Sequence, residues 1–183
     1  MKVFSFDVES NGLYGFAFAI AVTVRENGRE VASFQGRIPD SFVTDEWVKQ
    51  NILLPGALDD MPITHATSEE LEEAFWMFWM LHRGDGRHPS IIPIAHCGHP
   101  VETGLFQRCV VRKLQERKFL PAFPLHELET ILLAVGEYPI GAEDYAHKHG
   151  IAIPFAGVEH HPMFDAVVTA VVWEHACKRL SVK

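Results

Sequence analysis

The sequence predicts one α/β domain with a mixed β-sheet, and three observations lead to this prediction. Two apolar runs early in the chain flank Asn27-Gly28, a pair typical of antiparallel hairpins. Further along, a short apolar strand alternates with amphipathic helical segments, as in layered α/β proteins. The chain has 183 residues, of which 48% are hydrophobic, and this is enough to form a core and to exclude a disordered chain.

The predicted strands are short runs rich in β-branched and aromatic residues. The first three cover residues 2–7, 15–25 and 30–38. We expect the second and third to pair antiparallel across the Asn-Gly turn. Residues 39–66 contain prolines and scattered apolar positions, so only a short helix near 45–51 is predicted there. A fourth strand over 91–95 is apolar and preceded by breaker residues.

The predicted helices are recognised by apolar residues at helical spacing. The first begins at a capping box, in which Glu70 follows Thr67 by three residues, and it ends at Gly84. The others span 102–118, 125–136, 142–149 and 162–180. No internal repeat, low-complexity segment or linker interrupts the pattern, so we expect a single domain over residues 1–183.

Charge and cysteine content exclude several classes of protein. The chain carries 16 basic against 24 acidic residues, a formal charge of -8, which argues against a nucleic-acid binder that relies on bulk positive charge. Its three cysteines are widely spaced without a CxxC motif, so we expect neither a disulfide framework nor a zinc ribbon. The N-terminus lacks the apolar stretch of a signal peptide, and no apolar run approaches the ~20 residues of a membrane span. We therefore expect a soluble cytoplasmic protein that binds no membrane.

Acidic residues lie at three places where a carboxylate needs explanation. Asp7 and Glu9 are two residues apart near the end of the first strand, so an extended chain places them on one face, where they repel each other unless a cation lies between them. Asp165 stands among apolar residues near the start of the last helix, where an unpaired charge is costly. Asp7 and Glu9 could also be solvated acids at a polar strand end. Asp165, and Glu102 at the head of another helix, could be acids that interact favourably with the helix dipole.

Acidic residues and histidines recur in three spaced segments, which are FDVESNGL, IAHCGHPVETGLF and EDYAHKHGI followed by HHPMFDA. These segments resemble the exonuclease motifs of the DEDD superfamily, histidine subclass, whose members include proofreading epsilon-type exonucleases and oligoribonucleases. The first has an acid, any residue, an acid and then Gly-Leu, and the third places His160 five residues before Asp165. The second departs from the family, because Cys97 stands where Asn is common and Glu102 replaces an aspartate after one extra residue.

The resemblance implies a ribonuclease H-like three-layer fold, with a mixed five-stranded sheet that contains an antiparallel hairpin meander and is flanked by helices. It implies a metal-dependent 3′–5′ exonuclease that releases nucleoside 5′-monophosphates from the 3′ ends of single-stranded DNA or RNA. Two Mg²⁺ or Mn²⁺ ions are the expected cofactors, because both prefer oxygen ligands and hydrolyse phosphodiesters in pairs. Their expected ligands are Asp7, Glu9, Glu102 and Asp165. The sequence does not determine the oligomeric state, and a homodimer is one possibility.

A histidine is expected as the general base, because an imidazole pKa near ~6.5 suits that role. If Pro162 occupies the first helical position, both His160 and His161 precede the helix, and the residue pattern does not choose between them. The resemblance favours His160. The loop after Glu9 is expected to approach the terminal nucleotide, with Leu13 at the 3′ base by resemblance. The candidate substrate-binding residues are Ser10, Asn11, Gly12, Leu13 and His96.

Two other interpretations stay open for the sequence. A zinc site could draw on His96, Cys97 and His99, although structural zinc normally takes four ligands from two paired spacings. A ribonuclease H-like module that binds nucleic acid with weak or no catalysis is the alternative function, because the second motif departs from the family. The predicted helix 102–118 also carries a basic stripe, which is either a solvated face or a phosphate contact and consists of Arg108, Arg112, Lys113, Arg117 and Lys118.

Overall fold

A computed structural model describes residues 1–86 and 88–181 of the chain. At its centre is a five-stranded sheet in the order β3-β2-β1-β4-β5. The strands are β1 (Lys2–Ser10), β2 (Ala17–Glu26), β3 (Arg29–Arg37), β4 (Ile92–Ala95) and β5 (His126–Glu127). Antiparallel pairing joins β1, β2 and β3, whereas β4 and β5 run parallel to β1. The predicted α/β fold with a mixed sheet and a hairpin meander is confirmed.

The turn between β2 and β3 forms at the predicted Asn-Gly pair. Asn27 has a φ of 52° and Gly28 a φ of 83°, so both central positions are left-handed. A two-residue hairpin turn that matches the twist of its strands requires this backbone, which Asn and Gly adopt most readily. Glu26 and Arg29 pair at its base.

Helices connect and cover the strands. They are α1 (Glu46–Val48), α2 (Ser68–Arg83), α3 (Val101–Arg112), α4 (Leu114–Arg117), α5 (Leu128–Ala134), α6 (Ala142–Lys148) and α7 (Pro162–Ser181). A π-helical segment, Lys49–Leu53, continues α1. The predicted cap of α2 forms, since the Glu70 amide donates to Thr67 Oγ1 at 3.2 Å. Within the described residues, none of the helices combines the length and apolarity that a membrane crossing needs.

Several predicted boundaries differ from those of the structure. The predicted helix 102–118 is interrupted at Lys113, whose φ of −136° and ψ of 54° are not helical. The predicted helix 125–136 begins only at Leu128, because the two preceding residues pair with β4 as an edge strand. β1 continues to Ser10, three residues beyond its predicted end. Asp7 and Glu9 therefore lie inside the strand, opposite Ala21 and Ala19 of β2.

The sheet lies between two layers of helices, and β1 contributes to both. Phe4 and Phe6 point to one side, where they pack with α2 and α3 in an aromatic cluster that includes Trp79, at 5.0 Å from Phe4 between ring centroids. Val3 points to the other side, into a core formed by α5, α6 and α7. Since side chains alternate along a strand, Asp7 shares the face of Val3 and looks toward α7.

Candidate active site

Three carboxylates from β1 and α7 converge at one point of the sheet. Asp7 and Glu9 lie on the same face of β1, and Asp165 lies in the first turn of α7, which packs across β1 and β2. One oxygen from each of the three lies within 4.8 Å of the others. The structure thus brings together three of the four acidic residues that the sequence singled out.

Hydrogen bonds at the start of α7 hold the Asp165 side chain in position. Pro162 is the first residue of the helix, as the sequence predicted. The His161 imidazole caps it, because Nδ1 accepts hydrogen bonds from the amides of Met163 at 3.2 Å and Phe164 at 3.4 Å. An accepting Nδ1 places the ring proton on Nε2, which lies 3.3 Å from Asp60 Oδ1. In turn, the Asp165 carboxylate accepts a hydrogen bond of 2.9 Å from the backbone amide of His160.

Glu102 lies beside this cluster, in the first turn of α3, and is only 4% exposed. Its carboxylate is not one of the three that lie within 4.8 Å of one another. Burial raises the pKa of Glu102 to about 8, although backbone hydrogen bonds at Glu102 and Val8 oppose the shift, and the charge of Glu9 adds to it. Glu102 therefore belongs to the same electrostatic cluster, from a more recessed position.

The cluster is electrostatically unfavourable without a cation. Burial is the main cause that raises the pKa of Asp7, and the charges of Asp165, Glu9 and Glu102 raise it further. Burial and then Glu9 raise the pKa of Asp165 to about 7. A divalent cation would lower the pKa values of these carboxyl groups, because it favours the ionised form of every carboxylate around it. The clustered oxygen donors fit Mg²⁺ or Mn²⁺, which prefer such ligands.

His160 lies at the edge of the cluster with its side chain about one third exposed. Its Nδ1 is 3.7 Å from Glu9 Oε1, and the Trp47 ring meets the imidazole edge to face at 5.9 Å between centroids. The polar contact with Glu9 raises the pKa of His160, and burial opposes this shift. The backbone of His160 is left-handed, with a φ of 66°, and directs the amide toward Asp165.

A pocket of about 410 Å³ opens beside Glu9 and is mostly apolar. Leu13, which is 64% exposed, lines one part of its wall, and Trp47, which is 58% exposed, lines another. The remaining lining residues are Val8, Ser10, Gly12, Asp45, Val48, Ile52 and Val101. Trp47 was missed by the sequence analysis, because it falls in the segment 39–66 that carries little periodic pattern.

The loop after Glu9 positions this pocket through its own hydrogen bonds. Asn11 Oδ1 accepts from the amides of Thr44 at 2.9 Å and Asp45 at 2.8 Å, so this side chain holds the Trp47 segment in place. Ser10 Oγ donates to the Gly12 carbonyl at 2.8 Å. Gly12 has a φ of 78°, a left-handed backbone that residues with a Cβ rarely adopt, so this turn favours glycine.

A second pocket, of about 480 Å³, also opens at the carboxylate cluster. Asp7, Asp165 and His160 line it together with His96 and Cys97 from the end of β4. His96, the remaining predicted substrate contact, lies with Nε2 3.0 Å from Glu129 Oε1. Partial desolvation raises the pKa of the Cys97 thiol, and nearby acidic residues, Glu127 first among them, raise it further.

The three arginines of the predicted basic stripe form ion pairs within the protein. Arg108 Nε lies 2.7 Å from Glu72 Oε1, and Arg112 pairs with the other oxygen of the same carboxylate. Arg117 pairs with Glu73. The arginines therefore bind α3 and α4 to α2, which corresponds to a structural use of the stripe.

Comparisons with known proteins give a fold and no sequence family. No model of a protein family and no curated protein matches the chain. Among solved structures, S. pombe Pop2p in its Mg²⁺- and Mn²⁺-bound form is similar with a TM-score of 0.72 at 13% identity, over 97% of this chain and 83% of that one.

Two further structures are similar over nearly the whole chain. The nuclease domain of 3′hExo, a DEDDh family member bound to rAMP, gives a TM-score of 0.62 at 11% identity and covers 97% of this chain and 90% of its own. Exonuclease X in complex with 5′-overhanging duplex DNA gives a TM-score of 0.53 at 16% identity, with coverages of 96% and 91%. The chain therefore has the ribonuclease H-like fold of these nucleases.

Proposed function

We propose that this chain, which has the fold of the DEDD exonucleases, is a histidine-subclass member over residues 1–183. The proposed activity is metal-dependent hydrolysis of phosphodiester bonds at the 3′ ends of single-stranded DNA or RNA, with release of nucleoside 5′-monophosphates. The convergence of Asp7, Glu9 and Asp165 within 4.8 Å, beside His160, supports this proposal most directly.

The carboxylates Asp7, Glu9 and Asp165 would hold two Mg²⁺ or Mn²⁺ ions, with Glu102 as the fourth acid of the cluster. Bound ions of this kind neutralise charge at the phosphate and lower the pKa of water. The raised pKa values of Asp7 and Asp165 support this assignment, because strongly perturbed acids that share a pocket are typical of functional sites.

His160 is the proposed general base. Its imidazole lines the pocket that holds Asp7 and Asp165, whereas His161 is 3% exposed and uses Nδ1 to cap α7. Within the proposed mechanism, His160 accepts a proton from the attacking water, and Glu9, 3.7 Å away, stabilises the resulting imidazolium.

The apolar pocket between Leu13 and Trp47 is the proposed site of the terminal base. Exposed aromatic side chains stack on bases of any sequence, since every base has a π face. The volume of about 410 Å³ falls in the ~300–1,000 Å³ range of small-ligand pockets. In this proposal, Asn11 and Gly12 act by placing the Trp47 segment, and Ser10 orders the loop.

A catalytically weak nucleic-acid-binding module is the second candidate. The recessed position of Glu102, outside the group of three close carboxylates, favours it. A 5′-labelled oligonucleotide incubated with Mg²⁺ or Mn²⁺ distinguishes the two functions. We expect stepwise shortening from the 3′ end, which Asp7→Asn abolishes and the exposed control Asp59→Asn leaves unchanged. Binding of an intact oligonucleotide by wild type would instead identify the module.

A further inference from the structure

A second cluster of possible metal ligands lies where β4 and β5 end. His96 and Cys97 directly follow β4, and Glu129 lies in the first turn of α5, directly after β5. Because the two strands are parallel, these side chains meet at the same edge of the sheet. A ring nitrogen of His96, the Cys97 sulfur and a Glu129 oxygen all lie within 4.8 Å of one another.

The Glu129 carboxylate has one oxygen without a hydrogen-bond partner among the described residues. Its Oε1 lies 3.0 Å from His96 Nε2, whereas Oε2 is buried and has no hydrogen-bond partner among the described residues. A buried carboxylate oxygen without a partner is costly, and a cation bound beside it would remove that cost.

Hydrogen bonds fix the backbone of Cys97, and its side chain is accessible to solvent. The Glu127 carboxylate accepts hydrogen bonds from the amides of Cys97 and Gly98, each at 2.8 Å, and this fixes the loop after β4. The Cys97 side chain itself is exposed and is not part of a disulfide. It lines the pocket of about 480 Å³ that also holds Asp7, so an ion can reach it from solvent.

The donor atoms differ in kind from those of the three-carboxylate cluster. Nitrogen, sulfur and one oxygen suit zinc and related borderline-soft cations, whereas Mg²⁺ and Mn²⁺ prefer all-oxygen sites. We propose that His96, Cys97 and Glu129 bind a divalent cation of the zinc class, at a site separate from Asp7, Glu9 and Asp165. His99, the other histidine of this segment, lies with Nδ1 3.2 Å from Thr103 Oγ1 and is not part of the cluster.

Co²⁺ tests the site in the whole 183-residue chain, because only a thiolate ligand produces a sulfur-to-cobalt charge-transfer absorption in the near ultraviolet. An excess of Mg²⁺ keeps the all-oxygen cluster from interfering, and carboxylates are silent in this band. We expect wild type to show the band on Co²⁺ titration and Zn²⁺ to remove it by displacement. Absence of the band at saturating Co²⁺ would overturn the proposal, whether or not the protein is a nuclease.

Matched variants assign the ligands. Cys97→Ser should abolish the band, whereas Cys177→Ser, which removes another free cysteine, should keep it. Loss of even a hydrogen-bond partner of a ligand costs about 10- to 100-fold in metal affinity, so Glu129→Gln should weaken Co²⁺ binding at least about tenfold. A band that persists in Cys97→Ser, or an unchanged affinity in Glu129→Gln, contradicts the assignment.

Alkylation of wild type provides a measurement that does not depend on the folding of any variant. Iodoacetamide labelling of each cysteine, followed by mass spectrometry, should slow at Cys97 when Zn²⁺ is added in the presence of excess Mg²⁺. Labelling of Cys177 should not change. Equal rates at Cys97 with and without Zn²⁺ would refute the site.

Discussion

At the residue scale, the adjacent histidines His160 and His161 perform different tasks. His160 faces the carboxylates, and His161 is buried as the cap of α7. We expect His160→Ala to lower kcat about 10²- to 10⁴-fold with little change in thermal stability, since a general base contributes that much. His161→Ala should instead cost about 1 kcal/mol of stability through the lost cap. Oligonucleotide hydrolysis and thermal unfolding of both variants check this, and the opposite order of effects would exclude His160 as the base.

Asp165 is expected to make the metal-free protein less stable as the pH rises. Its folded pKa, about 7, lies above the ~3.9 of an unfolded Asp, so the folded state binds the proton more tightly. The contribution of Asp165 to stability is therefore fully present below pH ~4 and is lost progressively as the pH rises through about 7. In EDTA, Asp165→Asn should flatten this slope and raise Tm at pH 8.

Addition of Mg²⁺ provides the complementary measurement at this residue. Ligands that bind only the folded state raise Tm, so Mg²⁺ should stabilise wild type at pH 8 and should stabilise Asp165→Asn much less. Differential scanning fluorimetry at pH 5 and pH 8 measures both effects, with Asp59→Asn as the control. An equal Mg²⁺ response in wild type and Asp165→Asn would contradict the proposed metal ligation.

At the scale of secondary-structure elements, Glu137 joins three segments. It lies in the loop between α5 and α6, and its carboxylate accepts hydrogen bonds from Lys148 of α6 at 2.5 Å and Arg179 of α7 at 2.9 Å. Lys148 and then Arg179 lower the pKa of Glu137 to about 2. The stabilisation is therefore present above the unfolded pKa of ~4.3 and is lost as the pH falls toward about 2.

Replacement of Glu137 tests this contact between helices. Glu137→Gln should lower Tm at pH 7, and this deficit should shrink strongly toward pH 2, where the wild-type carboxylate takes up its proton as well. Glu116→Gln is the matched control, because Glu116 is exposed at the protein surface. A Tm deficit of Glu137→Gln that is the same at both pH values would show that packing, and not charge, accounts for it.

The elements also differ in how far the sequence predicts them. The β2–β3 hairpin follows from Asn27-Gly28 alone, and the two-residue alternation puts Asp7 and Glu9 on one face. β5 could not be predicted, because a two-residue strand has no periodicity and forms only through pairing with β4. The Trp47 segment is held at the pocket because Asn11, more than thirty positions earlier in the sequence, accepts hydrogen bonds from the amides of Thr44 and Asp45. Such long-range contacts leave no local pattern.

At the scale of the whole molecule, the charge distribution limits how the protein can hold a nucleic acid. The formal charge is -8, and Arg108, Arg112 and Arg117 are already paired with α2. We therefore expect binding to a strand end through one or two phosphates. For single strands, each neutralised phosphate contributes about −0.7 to the slope of log affinity against log salt. Fluorescence anisotropy over a salt series should give a slope no steeper than about −1.5.

Oligonucleotide length is the control for that measurement. A short oligomer and a long one should bind with similar affinity if only the end is held. Affinity that grows steadily with length, together with a steep salt slope, would reveal an extended basic track and contradict end binding.

The alternation along β1 ties folding to the assembly of the site. Phe4 and Phe6 enter the aromatic layer, while Asp7 and Glu9 meet α7 from the opposite face. A slip of one residue in the pairing of β1 would push carboxylates into the aromatic layer and turn phenylalanines toward α7. A chain with this shifted pairing would lose both the packing of its aromatic layer and its carboxylate cluster. We therefore expect no stable form with wrongly paired strands to accumulate.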